Sequence, residues 1–221
     1  MSKITYLDVK NSTEVNAYIK QGNDALGVMG FTEHSSAHAS LVADRAGRIL
    51  KALGYSEREI ELVQIAGYMH DIGNCVNRKD HAHHGAMLAR NILKEMGMEY
   101  EEIALVMNAI GNHDESSGVA VNPVSAALVL ADKTDVRRNR VRNQAQSTFD
   151  IHDRVNYAVT SSELEVIPCN GIILSEIKLD ETMCSMMEYF EIFLQRMLMC
   201  RKAAEILGMQ FKMTANGNKI C

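Results

Sequence analysis

Between Ser36 and Leu53 the apolar positions Ala39, Val42, Ala43, Ala46, Ile49, Leu50 and Leu53 recur at steps of three and four, which is the spacing of one helix face. Gly54 ends that pattern. Ser56 and Glu59 then form an S-x-x-E capping box, which opens a second helix. Its apolar residues Ile60, Val63, Ile65 and Ala66 lead to His70-Asp71 and stop at Gly73. Further helices are predicted over about 83–96 and about 100–112, the latter with Ile103, Val106, Met107 and Ile110 on one face. Another starts at Pro123, behind the cap Asn122, and includes Ala126, Leu130 and Asp132. Upstream, residues 15–19 fit one short helix, and Gly22, Gly27 and Gly30 read as loop markers.

After residue 158 the period changes. Residues 163–167 and 172–179 alternate as strands around the turn Pro168 to Gly171, which predicts a β-hairpin. A long amphipathic helix follows over about 183–207, ending at Gly208, and residues 210–214 form a third strand candidate. The expected fold class is mainly α: a helical bundle over residues 1–157 with a small α/β appendage over 158–221 packed on it. Met183, Met186, Met187, Phe190, Phe193 and Leu194 on the long helix suit either an internal core or a homodimer contact.

Composition narrows the classes. The chain of 221 residues is 47% apolar and 23% charged, as in ordinary globular proteins. A net charge of −5 excludes bulk electrostatic binding of nucleic acid, so an anionic ligand needs local cations. The five cysteines, at 75, 169, 184, 200 and 221, have no paired spacing and read as free thiols of a reducing compartment. No apolar run reaches the roughly 20 residues of a membrane span. A cytoplasmic protein is expected.

The chemistry lies in histidines and acids at the ends or edges of the apolar runs. These are His34 and His38, His70-Asp71, His81, His83 and His84, His113-Asp114, and Asp132. His34 and His38 would share a helix face if both lay on the first helix. A carboxylate such as Asp71 or Asp132 that closes an apolar stripe needs a cation or a donor. Mixed imidazole and carboxylate ligands suit Fe, Mn, Co, Ni or Zn better than Mg alone. His152-Asp153 repeats the dipeptide in a polar context and is not read as a primary ligand pair.

The order His38, His70-Asp71, Asp132 resembles the HD-domain superfamily of metal-dependent phosphohydrolases, whose signature is H…HD…D. The likeness extends over about residues 34 to 135, through His38-x-x-x-Val-Ala, Met69-His-Asp-Ile-Gly73 and Leu130-Ala-Asp-Lys133. His81 in an H-x-x-x-G-A element and His113 in Asn-His-Asp resemble the extra histidines of dinuclear members. The resemblance implies an HD-domain helical bundle. It also implies one metal on His38, His70, Asp71 and Asp132, and a second on Asp71 as a bridge with His81 and His113. Residues 114–120 lack the GYP element of the cyclic-dinucleotide phosphodiesterases, and Asn74 stands where many relatives have lysine. His34 and Asp114 are accessory candidates.

By that resemblance the expected activity is hydrolysis of a phosphoester or phosphoanhydride, by phosphatase or phosphodiesterase action, on a small anionic substrate such as a nucleotide. A hydroxide bridging two divalent ions, Fe or Mn foremost, roughly 3.5–4 Å apart would attack phosphorus. Asp71 would be central to the catalysis. Lys133 is a candidate phosphate contact, and Arg137, Arg138, Arg140 and Arg142 are either phosphate-binding guanidinium groups or a solvated basic helix face. Asp114, Asp80 or Glu115 would orient ligand imidazoles. The alternatives are a mononuclear 5′-nucleotidase-like enzyme, a diiron HD-type oxygenase and a non-catalytic nucleotide-binding signalling module.

Overall fold

The computed structural model describes residues 3–143 and 149–221. The fold is mainly helical: α1 (Tyr6–Lys10), α2 (Thr13–Val28), α3 (Ser36–Ala52), α4 (Glu57–Met69), α5 (His81–Met96), α6 (Tyr100–Gly111) and α7 (Pro123–Lys133) precede the sheet. A 3-10 turn, Ile72–Cys75, joins α4 towards α5. Helix α8 (Ile151–Ala158) then runs into β1 (Val159–Ile167), followed by β2 (Ile172–Leu179), α9 (Met186–Ile206), β3 (Gln210–Ala215) and β4 (Asn218–Lys219). No helix among the described residues is long and apolar enough to cross a membrane.

Helix α7 is the axis of the core. Every residue from Val124 to Ala131 is buried, so its apolar run needs no polar face. Its entry is fixed at the predicted cap Asn122, which forms a capping box with Ser125, and that of α4 by the predicted Ser56–Glu59 box. Helices α3 and α4 approach until their backbones nearly touch at Gly67, where a Cβ would lie 2.8 Å from Ala43 Cα. The predicted hairpin forms, with Ile167 opposite Ile172, and β3 lies parallel to β2, so α9 is the crossover between them. Tyr189, Phe193 and Cys200 of α9 belong to the same buried cluster as Ile65 and Leu128, while Met187 and Leu194 are exposed.

Several local expectations are corrected. Gly22 and Gly27 mark no loop; both lie inside α2, which extends far beyond residues 15–19. They let this helix pack closely, since a Cβ on Gly22 would be 3.0 Å from Cys75 N and one on Gly27 would meet the Arg142 guanidinium at 3.3 Å. Helix α1, with its Thr5–Asp8 capping box, and the eight-residue α8, capped by Asp150, are too short for hydrophobic period to reveal. The turn to β4 uses Asn216 and Gly217, both with positive φ, as a two-residue hairpin requires. Residues 137–142 form no basic helix face, because only Arg138–Arg140 make a single 3-10 turn.

Gly73 fixes the approach of α5 to the end of α4. A Cβ there would lie 2.0 Å from His81 O and 2.5 Å from Gly85 N. Gly73→Ala is expected to lower stability by about 1–3 kcal/mol through overpacking. Thermal unfolding followed by circular dichroism measures this, and an unchanged Tm would refute the close-approach account.

Candidate metal centre

Every predicted ligand sits at a helix end. His38 lies in the first turn of α3, His70 caps α4, Asp71 opens the 3-10 turn, His81 begins α5, His113 follows α6 and Asp132 is the last residue but one of α7. His34 is not on α3. It precedes the N-cap Ser35 and reaches the site from the segment between α2 and α3, with Nδ1–H donating to Thr32 O at 2.7 Å. The rings form a continuous row, His34, His38, His70, His113, His81, with successive centroids 5.7, 5.2, 4.9 and 5.0 Å apart.

The Nδ1 side of each ring is fixed. His70 Nδ1–H donates to Gly67 O and His113 Nδ1–H to Ile110 O, both at 2.7 Å. His81 Nδ1 lies 3.1 Å from Arg78 O and 3.3 Å from Asp114 Oδ2. His38 Nδ1–H donates to Asp135 Oδ2 at 2.7 Å. In the neutral rings these bonds place the proton on Nδ1 and leave Nε2 to ligate a metal; His81 Nε2 also lies 3.4 Å from Arg78 NH1.

The Nε2 atoms converge on two carboxylates. Asp71 Oδ2 is 3.1 Å from His70 Nε2, 3.8 Å from His38 Nε2 and 4.0 Å from His34 Nε2. Asp71 Oδ1 faces the other way, 3.4 Å from His81 Nε2 and 3.8 Å from His113 Nε2. Asp132 Oδ1 is 3.4 Å from His38 Nε2 and 3.5 Å from His70 Nε2. His81 and His113 bring two Nε2 atoms within 3.2 Å of each other. Two ligands at the usual ~2.1 Å from one ion stand ~3.0–3.4 Å apart at angles between ~90° and ~110°, so this spacing matches shared coordination. The buried Nε2 atoms of His38 and His70 have no hydrogen-bond partner, although buried nitrogens normally find one. The donor set therefore fits a divalent metal.

A family model described as HD domain matches residues 36–145, the span that carries these ligands from α3 to α7. The chain belongs to the HD-domain family. Over 174 residues, 68% of the chain, it is 32% identical to the uncharacterized protein MJ1020 of Methanocaldococcus jannaschii and spans 66% of that protein. It is 28% identical to ribonuclease Y of Oceanobacillus iheyensis over 121 residues, which are 54% of the chain and 21% of the ribonuclease. Ribonuclease Y of Enterococcus faecalis is 29% identical over 112 residues, 51% of the chain and 20% of that enzyme. HD domains bind divalent metals and belong to the metal-dependent phosphohydrolase superfamily.

Charge in this HD domain is arranged around a cation-seeking floor. Burial opposes the His70 imidazolium, yet Asp71 and Asp132 hold its pKa at about 10 when no metal is bound. Burial lowers His81 to about 4 and keeps His34 well below its ordinary value, so both rings are neutral at pH 7. Burial also opposes the Asp135 carboxylate, but His38, Arg140 and Arg137 hold it far below the usual range. Asp135 escaped the sequence reading. Its signal was the Asp three residues beyond Asp132, one turn further along the same helix end.

The floor opens into a cavity of about 390 Å³. Of the basic residues singled out in the sequence, Arg140 lines it, but NH1 donates to Asp135 O and NH2 to Glu33 O. Arg137 and Arg138 lie outside the lining; Arg137 pairs with Asp135, and Arg138 donates to Tyr157 O and stacks on the Tyr157 ring. Arg142 donates to Phe31 O. These guanidinium groups tie neighbouring segments together. Lys133 does line the cavity, with its ammonium 2.7 Å from both Asp132 Oδ2 and Glu115 Oε2. Asn74 donates to Asp71 Oδ1 at 2.9 Å, so the residue in the lysine position braces the carboxylate. Asp80 makes no side-chain cap at the start of α5, and Glu115 bonds to Lys133 and Arg196 instead of a ligand ring. His152 and Asp153 also line the cavity, outside the groups of converging ligand atoms. Arg78 and Arg196, neither anticipated as site residues, also line it.

Two outcomes follow from this geometry. Asp135→Ala removes the acceptor of His38 Nδ1 and should weaken metal affinity by about 10–100-fold. A fluorescent chelator competition reads that change, and equal affinity would show that Asp135 does not orient the ligand. Because His70 is protonated at pH 7 without metal and must be neutral to ligate, binding should release a proton. Affinity should then rise by about tenfold per pH unit for each proton displaced, and fall as pH drops. Calorimetry in buffers of different ionisation enthalpy counts the protons, and a buffer-independent enthalpy would contradict the assignment.

Proposed function

We propose that this chain is a dinuclear phosphohydrolase that cleaves a phosphoester or phosphoanhydride of a small nucleotide. The observation that carries this reading is Asp71, whose two oxygens face separate imidazole groups, His38 and His70 on one side and His81 and His113 on the other. One ion would be held by His38, His70, Asp71 and Asp132, and the other by Asp71, His81 and His113, with Fe or Mn suited to these ligands. Bound there, two divalent ions would polarise phosphoryl oxygens and lower the pKa of water between them.

The chain's own groups would do the remaining work. Asn74 holds one oxygen of Asp71 and keeps the carboxylate turned across both groups. Burial disfavours the Lys133 ammonium, but Asp132 and Glu115 raise its pKa, so it stays charged beside the cavity floor. It would steer an anion towards the ligands while anchoring Asp132. Met29 and Phe31 give the cavity apolar surface, and Asn156, His152 and Asp153 give hydrogen-bonding groups on α8. That combination suits the sugar and base of a nucleotide better than an extended polymer, given a volume of about 390 Å³. Two relatives are named ribonucleases, which supports a nucleotide phosphoester as the class of bond cut. The free thiols, with no disulfide among the described residues, support a reducing, cytoplasmic setting.

Manganese- or iron-loaded protein should turn over at least one of a panel of nucleotides, dinucleoside polyphosphates and cyclic dinucleotides, and Asp71→Ala should fall to background. Equal turnover by the variant would exclude this centre as the source of activity. Metal analysis should find two ions per chain in the parent and one in His113→Ala. An unchanged content of two would remove His113 from the ligand set.

A further inference from the structure

Arg196 reaches the cavity from α9, well outside the segment that matches the HD family model. Its Nε–H donates to Glu115 Oε1 at 2.9 Å. The other Glu115 oxygen accepts from Lys133 Nζ at 2.7 Å, and Lys133 also contacts the Asp132 carboxylate. The guanidinium carbon lies 4.8 Å from the centre of the Phe193 ring. One hydrogen bond and one ring face thus fix the plane of the group without using its two terminal nitrogens.

The Arg196 side chain keeps 28% of its surface exposed, and the buried arginines behave differently. Arg45 donates from NH1 to Thr134 Oγ1 and from NH2 to Ser162 O. Arg140 uses NH1 on Asp135 O and NH2 on Glu33 O. For Arg196, no acceptor for NH1 or NH2 stands among the described residues, and the group lines the wall of the metal cavity. Burial opposes its charge, but Glu115 and Asp132 keep it a cation. A planar cation held at its Nε edge, with two adjacent donors unused, matches the two-point recognition of a phosphate.

We propose that Arg196 is the phosphate-binding fork of this cavity, contributed by the C-terminal part of the chain and aimed by Glu115 and Phe193. The proposal rests on the phosphohydrolase reading above, because the ligand it takes is the phosphoryl group of the substrate. Terminal nitrogens NH1 and NH2 would each donate to one non-bridging oxygen.

The test uses the manganese-loaded full chain, with inorganic phosphate as the binding probe and p-nitrophenyl phosphate as the hydrolysis probe. Arg196→Gln should raise the phosphate Kd and the KM by about 10–100-fold, the range of a lost charge-assisted hydrogen bond. Metal content and Tm should stay at parent values. Arg196→Lys should recover only part of the affinity, since an ammonium cannot present a fork. Arg201→Gln, exposed on the same helix, should match the parent. Phosphate binding by Arg196→Gln equal to the parent would overturn the proposal, as would a parent that binds no phosphate. Loss of metal or Tm in both Arg196 variants would assign the residue a structural role and overturn it as well. A parent that binds phosphate in an Arg196-dependent way but hydrolyses neither p-nitrophenyl phosphate nor any member of the nucleotide panel above upholds the fork and refutes the hydrolase reading alone.

Discussion

A carboxylate buried among imidazoles is the constraint on which this molecule is built. Asp71 has Nε2 atoms of four histidines within 3.8 Å of its two oxygens. An anion in that position is stable only with a cation beside it. Without metal a proton on His70 serves, which is why that ring holds its proton so strongly. The backbone makes the arrangement possible. His70 and His113 each donate to a carbonyl three residues back, so the last turn of a helix both ends the helix and aims the ring. The bundle can be understood as helices whose ends are brought to one point.

The same carboxylate chemistry links the floor of the cavity to its walls. Asp132 meets His38 and His70 with one oxygen and Lys133 with the other. Lys133 passes the contact to Glu115, and Glu115 to Arg196 on α9. On the other flank His38 leans on Asp135, which also receives Arg137 and Arg140. Acidic and basic side chains alternate along both branches. Each charge is matched by its neighbour, so groups deep in the protein stay ionised where isolated ones would not.

Much of this was legible in the chain. The apolar periods of residues 36–53 and 103–110 mark the helices, and the Ser56–Glu59 and Asn122–Pro123 signals set two helix starts within a residue. The ligand histidines and acids stand out because they close apolar runs where a core gains nothing from them. What remained hidden is non-local. His38 and Asp135 are 97 residues apart, and Glu115 and Arg196 are 81 apart, and no spacing rule connects them. Gly22 and Gly27 misled for a related reason. Their lack of a side chain serves a close approach to residues 74–75 and Arg142, and a local pattern reads the same glycines as turns. The arginines at 137–142 look like one basic patch in the sequence, yet each finds a different carbonyl or carboxylate once the chain is folded.

The parallel pairing of β3 with β2 makes the C-terminal strand a clasp. A parallel neighbour can be reached only by a crossover, and α9 is that crossover, so the helix is held by the sheet at both of its ends. The clasp is six paired positions long, from Ile172–Gln210 to Ile177–Ala215. If mechanical load or a proteolytic nick unzipped it, the C-terminal end of α9 would come free, and with it the wall that carries Phe193 and Arg196. Helix α7, which carries Asp132 and shares its buried cluster with α9, would lose part of its cover, while the ligand-bearing ends of α3 to α6 would keep their own packing. Such a molecule would retain its donor atoms and lose the enclosure around them.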